Sequence, residues 1–373
     1  MKRESKWLII SCLIAATLFI TSCGVPEEAE EESVEETVAE KIATNAPVIF
    51  VDPNLETAIR DAINKRTGPI TPSDLKSLTS LSAPKSNIID LSGLEYCVEL
   101  VELQLNENQI SNISPLAFLA HLTGLSLRWN KISDISPLAS LTDLTELHLD
   151  FNGVSDISPL VSLANLSVLE ITKNRIEDIS ALDSLDNLTR LVLNENLISD
   201  VSSLASLTGL SSLWLGYNQI DDVSPLASLA DLTELHLEFN QIADISPLAS
   251  LNALTVLELT GNRISDVSSL ENLNNLNWLY LRWNRISDIS PLASLQNLNW
   301  LFLEQNLISD VSPLASLQNL TRLNLAGNQV SDISPLISMA EIEEIILLEN
   351  PLDSTSADVH IPQLEGRGVS VHR

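Results

Sequence analysis

The stretch LTELHLDFNGVSDISPL, Leu144 to Leu160, decides the fold. Its pattern, L-x-x-L-x-L-x-x-N-x-I-x-x-I-S-P-L, recurs along the chain with asparagine at 108, 130, 152, 174, 196, 218, 240, 262, 284, 306, 328 and 350, a spacing of 22 that never slips. An unbroken period of this length identifies the pattern as a leucine-rich repeat and the architecture as a solenoid. Leu147 and Leu149 alternate with polar neighbours, so each repeat holds a short strand with one buried side. A single coil cannot bury its leucines alone, and stacking gives a continuous core. The asparagine amide is expected to turn inward and bond backbone groups of adjacent coils. Ser-Pro-Leu then starts a short helix, with Ser expected to cap it and Pro in its first turn. Pro is missing at Ala181, Ser203 and Ser269, where looser starts are expected.

The fold class that follows is an α/β leucine-rich-repeat solenoid, with a parallel sheet on its concave side and short helical turns on its convex side. Twelve repeats occupy 100–350. Before them, 47–99 reads as a helical cap with a degenerate first repeat, Leu78 to Leu94, that has Ser86 in place of asparagine. VDPNLETAIRDAINKRTG opens a helix near Asp52 and Pro53, with Leu55, Ala58, Ile59, Ala62 and Ile63 on one stripe. Thr71 to Asp74 resembles a capping box. Residues 351–373 depart from the repeat and read as the closing cap.

The 373 residues carry 20 Lys+Arg against 50 Asp+Glu, a net charge of −30 that repels phosphate backbones and excludes nucleic acid as a partner. Residues 1–22 read as an export signal: the basic MKRESK, then a sixteen-residue, mainly apolar run from Trp7 to Ser22 with several Ser and Thr, short for a membrane span. Ile20-Thr-Ser-Cys23 resembles the lipobox of bacterial lipoproteins, which implies lipid attachment at Cys23 and a place in the bacterial cell envelope, outside the cytoplasm. Residues 23–46, with eight glutamates from Glu27 to Glu40, read as an extended acidic tether. Cys97 aligns with the core residue Leu119 and has no cysteine partner in the mature chain.

The helical cap (IFVDPNLETAIRDAI, ITPSDLKSLTSL), the join IIDLSGLEYCVELVELQLNENQISNISPL and the array together resemble the internalin-type leucine-rich-repeat proteins of bacteria. The resemblance implies a curved solenoid whose concave strands bind a protein. Internalins commonly carry an immunoglobulin-like domain and a C-terminal cell-wall signal; here about twenty residues follow Asn350. The resemblance therefore implies an anchored recognition or adhesion module, not invasion.

Counted back from each asparagine, positions −5 and −3 point into the core, while −6, −4, −2 and −1 face out or flank the strand. Ten of the 13 aromatics beyond Cys23 fall at those four outer positions: Trp129, Phe151, Trp214, Tyr217, Phe239, Trp278, Tyr280, Trp283, Trp300 and Phe302. Trp278 and Trp300 share position −6, and Tyr280 and Phe302 share −4, which makes one apolar patch with Arg282 beside it. Exposed aromatic clusters mark binding surfaces, although cross-strand aromatic pairs also stabilise sheets and the −1 rings can shield strand ends. The ligand-binding set expected from sequence is Trp278, Tyr280, Arg282, Trp283, Trp300, Phe302, Trp214, Tyr217 and Phe239. A protein ligand suits one dense patch. A glycan is the rival, since rings near Glu258, Glu304 and Asn324 also suit sugar, and a purely structural envelope protein is the third reading.

Aspartates at position +4 recur in ten successive repeats, from Asp134 to Asp332. They suit a column of turn caps better than a column of calcium ligands. His148 and His236 share position −4, too far apart to share a metal, and each is expected to pair with a glutamate of the next repeat, Glu170 and Glu258. No phosphate loop, H-E-x-x-H, paired C-x-x-C or G-x-S-x-G occurs. The chain reads as a non-enzyme that calls for no cofactor and no metal.

Overall fold

A computed structural model describes residues 38–373; the export signal, Cys23 and most of the acidic tether lie outside the described residues. Fourteen strands, β1 (Ser80–Ser82) to β14 (Ser370–His372), form one sheet in sequence order with every pairing parallel. Each strand is three residues long, and within the repeats it covers positions −6 to −4. In β10 (Trp278–Tyr280) and β11 (Trp300–Phe302), Leu279 faces Leu301 in register and both are buried, as are Leu281 and Leu303. Each coil adds to one column of leucine and isoleucine, with Leu276, Leu279, Leu281, Ile286, Ile289, Leu292 and Leu295 fully enclosed in a single turn of the solenoid. Burying each such side chain is worth roughly 1.5–3 kcal/mol.

The asparagines turn inward as expected. Asn240 Nδ2 donates to Leu215 O at 3.0 Å, Leu237 O at 3.1 Å and Glu238 O at 3.4 Å, while the next coil's Asn262 Oδ1 accepts from Ile242 N at 3.0 Å. Each amide thus satisfies two carbonyls of its own coil and one of the preceding coil, and its oxygen takes an N–H of the preceding coil. The same set recurs from Asn108 to Asn350. On the convex side, hydroxyls repeat the coil-to-coil link, Ser140 Oγ donating to Ala117 O and Ser162 Oγ to Ala139 O.

The return segments are 3-10 turns, not α-helices, and serine does not cap them. In Ser290–Ser294 the serine is the first helical residue and its N–H donates to Asp288 Oδ1 at 2.8 Å. All ten +4 aspartates make this bond, and at Asp244 and Asp288 it pulls the carboxyl below the ordinary range. Loss of proline leaves the turns at Ala181 and Ser203 unchanged; only Ser268–Leu270 is shortened.

Two caps close the core. Helix α1 (Pro53–Ala62) is held by Asp52, whose Oδ1 accepts from Asn54 N and Leu55 N while Oδ2 accepts from Ile89 N and Asp90 N, so one buried carboxylate pins the helix to the first coil. Leu55 and Ile59 are buried, Ala58 and Ile63 pack beside them, and Ala62 is exposed. Helix α2 (Pro72–Leu75) starts at Thr71, whose N–H donates to Asp74 Oδ2. Residues 38–44 correct the tether boundary: they are helical, with Val38 and Ile42 packed on the core and Lys41 over the Tyr96 ring. Cys97 is free and fully buried, and burial pushes its thiol up to about 12, so it is inert core. At the other end, helix α3 (Ile361–Gly366) buries Ile361 and Leu364, and β14 pairs with β13 (Glu344–Ile346), a last strand that sequence periodicity does not announce.

Asn240→Ala removes three donated bonds and an accepted one from a buried turn, and should cost about 3 kcal/mol or more of unfolding free energy. Asn350→Ala, at the half-buried last turn, should cost clearly less. Urea titration of both variants checks the order.

Candidate functional site

The residue before each asparagine has a positive φ. The value is +57° at Trp129, +56° at Tyr217, +53° at Phe239 and +49° at Trp283, and Gly261 and Gly327 occupy the same position at +72° and +66°. The left-handed turn swings position −1 out at the end of the strand. It favours glycine, and a bulky residue there is strained. Five of the ten concave aromatics sit in this turn, which Glu107, Lys173, Glu195, Gln305 and Glu349 occupy in other repeats. Trp283 is 54% exposed.

The structure brings the sequence-predicted residues together in two groups. Trp278 stacks on Trp300 at 5.4 Å between ring centres, Tyr280 lies parallel to Phe302 at 5.0 Å, and Trp300 meets Phe302 edge-on at 6.3 Å. Arg282 places its guanidinium over Phe302 at 4.4 Å, with Nε 3.1 Å from Glu304 Oε1 but not aligned for a hydrogen bond. Arg322 lies over Trp300 at 4.8 Å. Trp278 remains 40% exposed and the other rings of this group are half-buried. The second group joins Tyr217 to Phe239 at 4.5 Å, Phe239 to Trp283 at 5.6 Å, and Trp214 to His236 at 4.1 Å. Trp283 belongs to this second group through Phe239. No concave aromatic is buried among the described residues, so none is needed to fill the core.

Between the strands and their leading turns runs a trough of about 860 Å³ beside Trp278, lined by Asn275, Asn277, Asn297, Asn299 and Asn319. Reading positions −9 and −7 down the repeats would have revealed this amide column. Three carboxylates on the face, Glu238, Glu258 and Glu304, are raised above the ordinary range because burial withdraws them from water.

His148 pairs with Glu170 at 3.2 Å, as expected. His236 does not pair with Glu258: its Nε2 turns within its own strand to Glu234 Oε1 at 3.0 Å, where Ser212 Oγ and Trp214 fix the partner. Among the described residues, His148, Asp150 and Glu170 are the one cluster with the spacing of a metal site. Arg128 fills it, with Nε 2.8 Å from Asp150 and Nη2 on Glu170, and Arg190 reaches Glu170 at 2.9 Å. His148 and the two guanidiniums hold the Glu170 carboxyl down at about 2, and the cluster is a filled ion-pair network.

The model for leucine-rich repeats in two copies matches residues 120–162, 144–184, 186–228, 231–272 and 296–338, together more than half of the chain. A solved structure of an internalin (inlF) from Listeria monocytogenes superposes with a TM-score of 0.84 at 36% identity, over 88% of this chain and 97% of that one. The chain belongs to the internalin-type bacterial leucine-rich-repeat proteins. Internalin H of Listeria monocytogenes is 37% identical to this internalin-type chain over 104 residues, a match spanning 27% of this chain and 18% of that relative. A leucine-rich-repeat protein of Leptospira interrogans shares the fold at 19% identity, with a TM-score of 0.66 over 90% of this chain. No helix among the described residues of this internalin-type protein is long and apolar enough to cross a membrane.

Burial that raises Glu238 makes its ionised form cost stability above the raised value, and cost nothing below the ordinary value near 4.5. Glu238→Gln should therefore raise the melting temperature at pH 7, with the gain vanishing below about pH 4. Thermal melts across pH check the sign.

Proposed function

We propose that this internalin-type chain is a recognition module displayed from the bacterial envelope, binding a protein ligand on its concave face. Lipid on Cys23 is its anchor, and the acidic segment after it is a spacer. The binding surface centres on Trp278, Tyr280, Arg282, Trp283, Trp300 and Phe302, flanked by Trp214, Tyr217 and Phe239. One observation carries the reading: large rings line the concave face without entering the core, five of them in a left-handed turn that favours glycine. Rings held on this face and in that turn, outside the core, point to use. Clustered Trp and Tyr beside Arg is the composition of an interface hot spot. The work proposed is non-covalent recognition.

A glycan ligand is the second reading, and the asparagine-lined trough next to Trp278 favours it, because amides and a flat ring match sugar hydroxyls and the apolar sugar face.

The test is binding of the purified protein to solubilised envelope proteins and to a polysaccharide panel, alongside a variant with Trp278, Trp283 and Trp300 changed to alanine. The expected result is a protein ligand lost by the variant, whose melting temperature stays close to that of the parent. A ligand held equally by both proteins would sink the concave-face reading, and a polysaccharide lost by the variant would establish the glycan one.

A further inference from the structure

The two near-identical stretches TELHLDFN (Thr145 to Asn152) and TELHLEFN (Thr233 to Asn240) stand four repeats apart, so the concave face carries one arrangement twice. His148, Asp150, Phe151 and Glu170 of the first copy correspond to His236, Glu238, Phe239 and Glu258 of the second. The stacked pair Trp129–Phe151 corresponds to the stacked pair Tyr217–Phe239. The residues around the acids differ: Arg128 and Arg190, which bind Glu170 in the first copy, are replaced by Gly216 and Trp278 in the second, and Asn194 by Arg282.

The exchange leaves a space. In the first copy the Arg128 guanidinium occupies the acids, with Nε on Asp150 and Nη2 on Glu170. In the second, a recess of about 250 Å³ opens, lined by Glu238, Glu258 and Thr260 together with Tyr217, His236, Phe239 and Arg282. Glu238 leans over the bare backbone of Gly216, so close that a Cβ there would stand 2.1 Å from its Oε1. Its Oε2 is buried and accepts no hydrogen bond, and Thr260, only 7% exposed, leaves its buried hydroxyl unpartnered. His236 pairs with Glu234, and the Arg282 guanidinium lies over Phe302 with its Nε near Glu304. Among the described residues no ion pair reaches Glu238 or Glu258. The corresponding carboxyls respond in opposite directions: cations hold Glu170 down at about 2, whereas burial raises Glu258.

We propose that this recess receives the guanidinium of an arginine presented by the partner protein, in the place that Arg128 fills from within the chain in the first copy. Buried carboxylates with an unmet acceptor, beside aromatic rings, have the chemistry that binds such a group. The recess is below the roughly 300–1,000 Å³ of a drug-sized ligand site and fits one side chain. The net charge of −30 favours a partner with a basic surface. The proposal rests on the concave face being a protein-binding surface, and names a second anchor point on it beside the Trp278–Trp300 patch.

The test uses the purified full chain and three probes: N-acetyl-arginine methylamide, its lysine counterpart, and the uncharged norleucine counterpart. Titrations are followed by NMR of the Tyr217 and Phe239 rings. The expected result is saturable binding of the arginine probe, about tenfold weaker in Glu238→Gln. The double variant Gly216→Arg with Glu238→Asp restores the first copy's internal arginine and its aspartate partner, and should melt no lower than the parent and bind no probe. Binding of the norleucine probe at equal strength, no saturable binding of the arginine probe, or unchanged binding by the double variant would each overturn the proposal. Equal binding of the lysine probe would overturn the assignment to arginine. A protein ligand that is lost by the tryptophan variant yet held fully by the double variant would overturn this inference alone and leave the concave-face reading standing. A ligand held fully by the tryptophan variant sinks that reading, whatever the probes do.

Discussion

After each strand the chain must bend away from the sheet, and the bend strands carbonyls and an N–H in a place water does not reach. The asparagine resolves this. Its amide donates to Leu281 O, Arg282 O and the preceding coil's Leu259 O at Asn284, and its oxygen accepts Ile264 N. No shorter or apolar side chain offers both donors and an acceptor at that reach. Because two of the four bonds cross to the neighbouring coil, the same residue that makes the turn also sets the stacking. The 22-residue period is a consequence: insertion of one residue within a coil would disturb the amide bonds that cross that coil.

The bend has a second consequence for function. Closing it requires a left-handed residue just before the asparagine, and that residue stands at the rim of the concave face. Left-handed backbone costs a residue with a Cβ about 1–2 kcal/mol. Stacking across coils, as between Trp129 and Phe151 or Tyr217 and Phe239, offsets part of the cost for the rings. The scaffold therefore supplies a row of outward-facing positions. Which of them carry rings, acids or glycine is free to vary without touching the core, which suits a fold that keeps one architecture and changes its ligand.

The repeat, its inward leucines and the inward asparagines were legible in the sequence because each is a period, and periods survive without coordinates. So were the cap helix at Asp52 and the buried Cys97. Departures from period were less legible. Nothing in VSVHR announces a strand, since β14 exists only because β13 offers it an edge. The helix at residues 38–44 hides behind the glutamates that precede it. Serine was expected to cap the return turn, but the aspartate two residues earlier does so, because a 3-10 turn starts one position sooner than the α-helix that serine would cap. The ring positions could be read; the pairing of His236 with Glu234, not Glu258, depends on rotamers fixed by Ser212 and Trp214 and could not. The left-handed turn was written in the sequence at Gly261 and Gly327, two glycines at one position of a repeat.

The proposed ligand sits on the concave face. The most direct measurement places a photo-reactive phenylalanine analogue at position 300, on the concave strand, or at position 205, on a convex turn, and irradiates each protein with envelope material. Crosslinks to a protein formed from position 300 and absent from position 205 are the predicted result. Crosslinks from position 205 alone would contradict it.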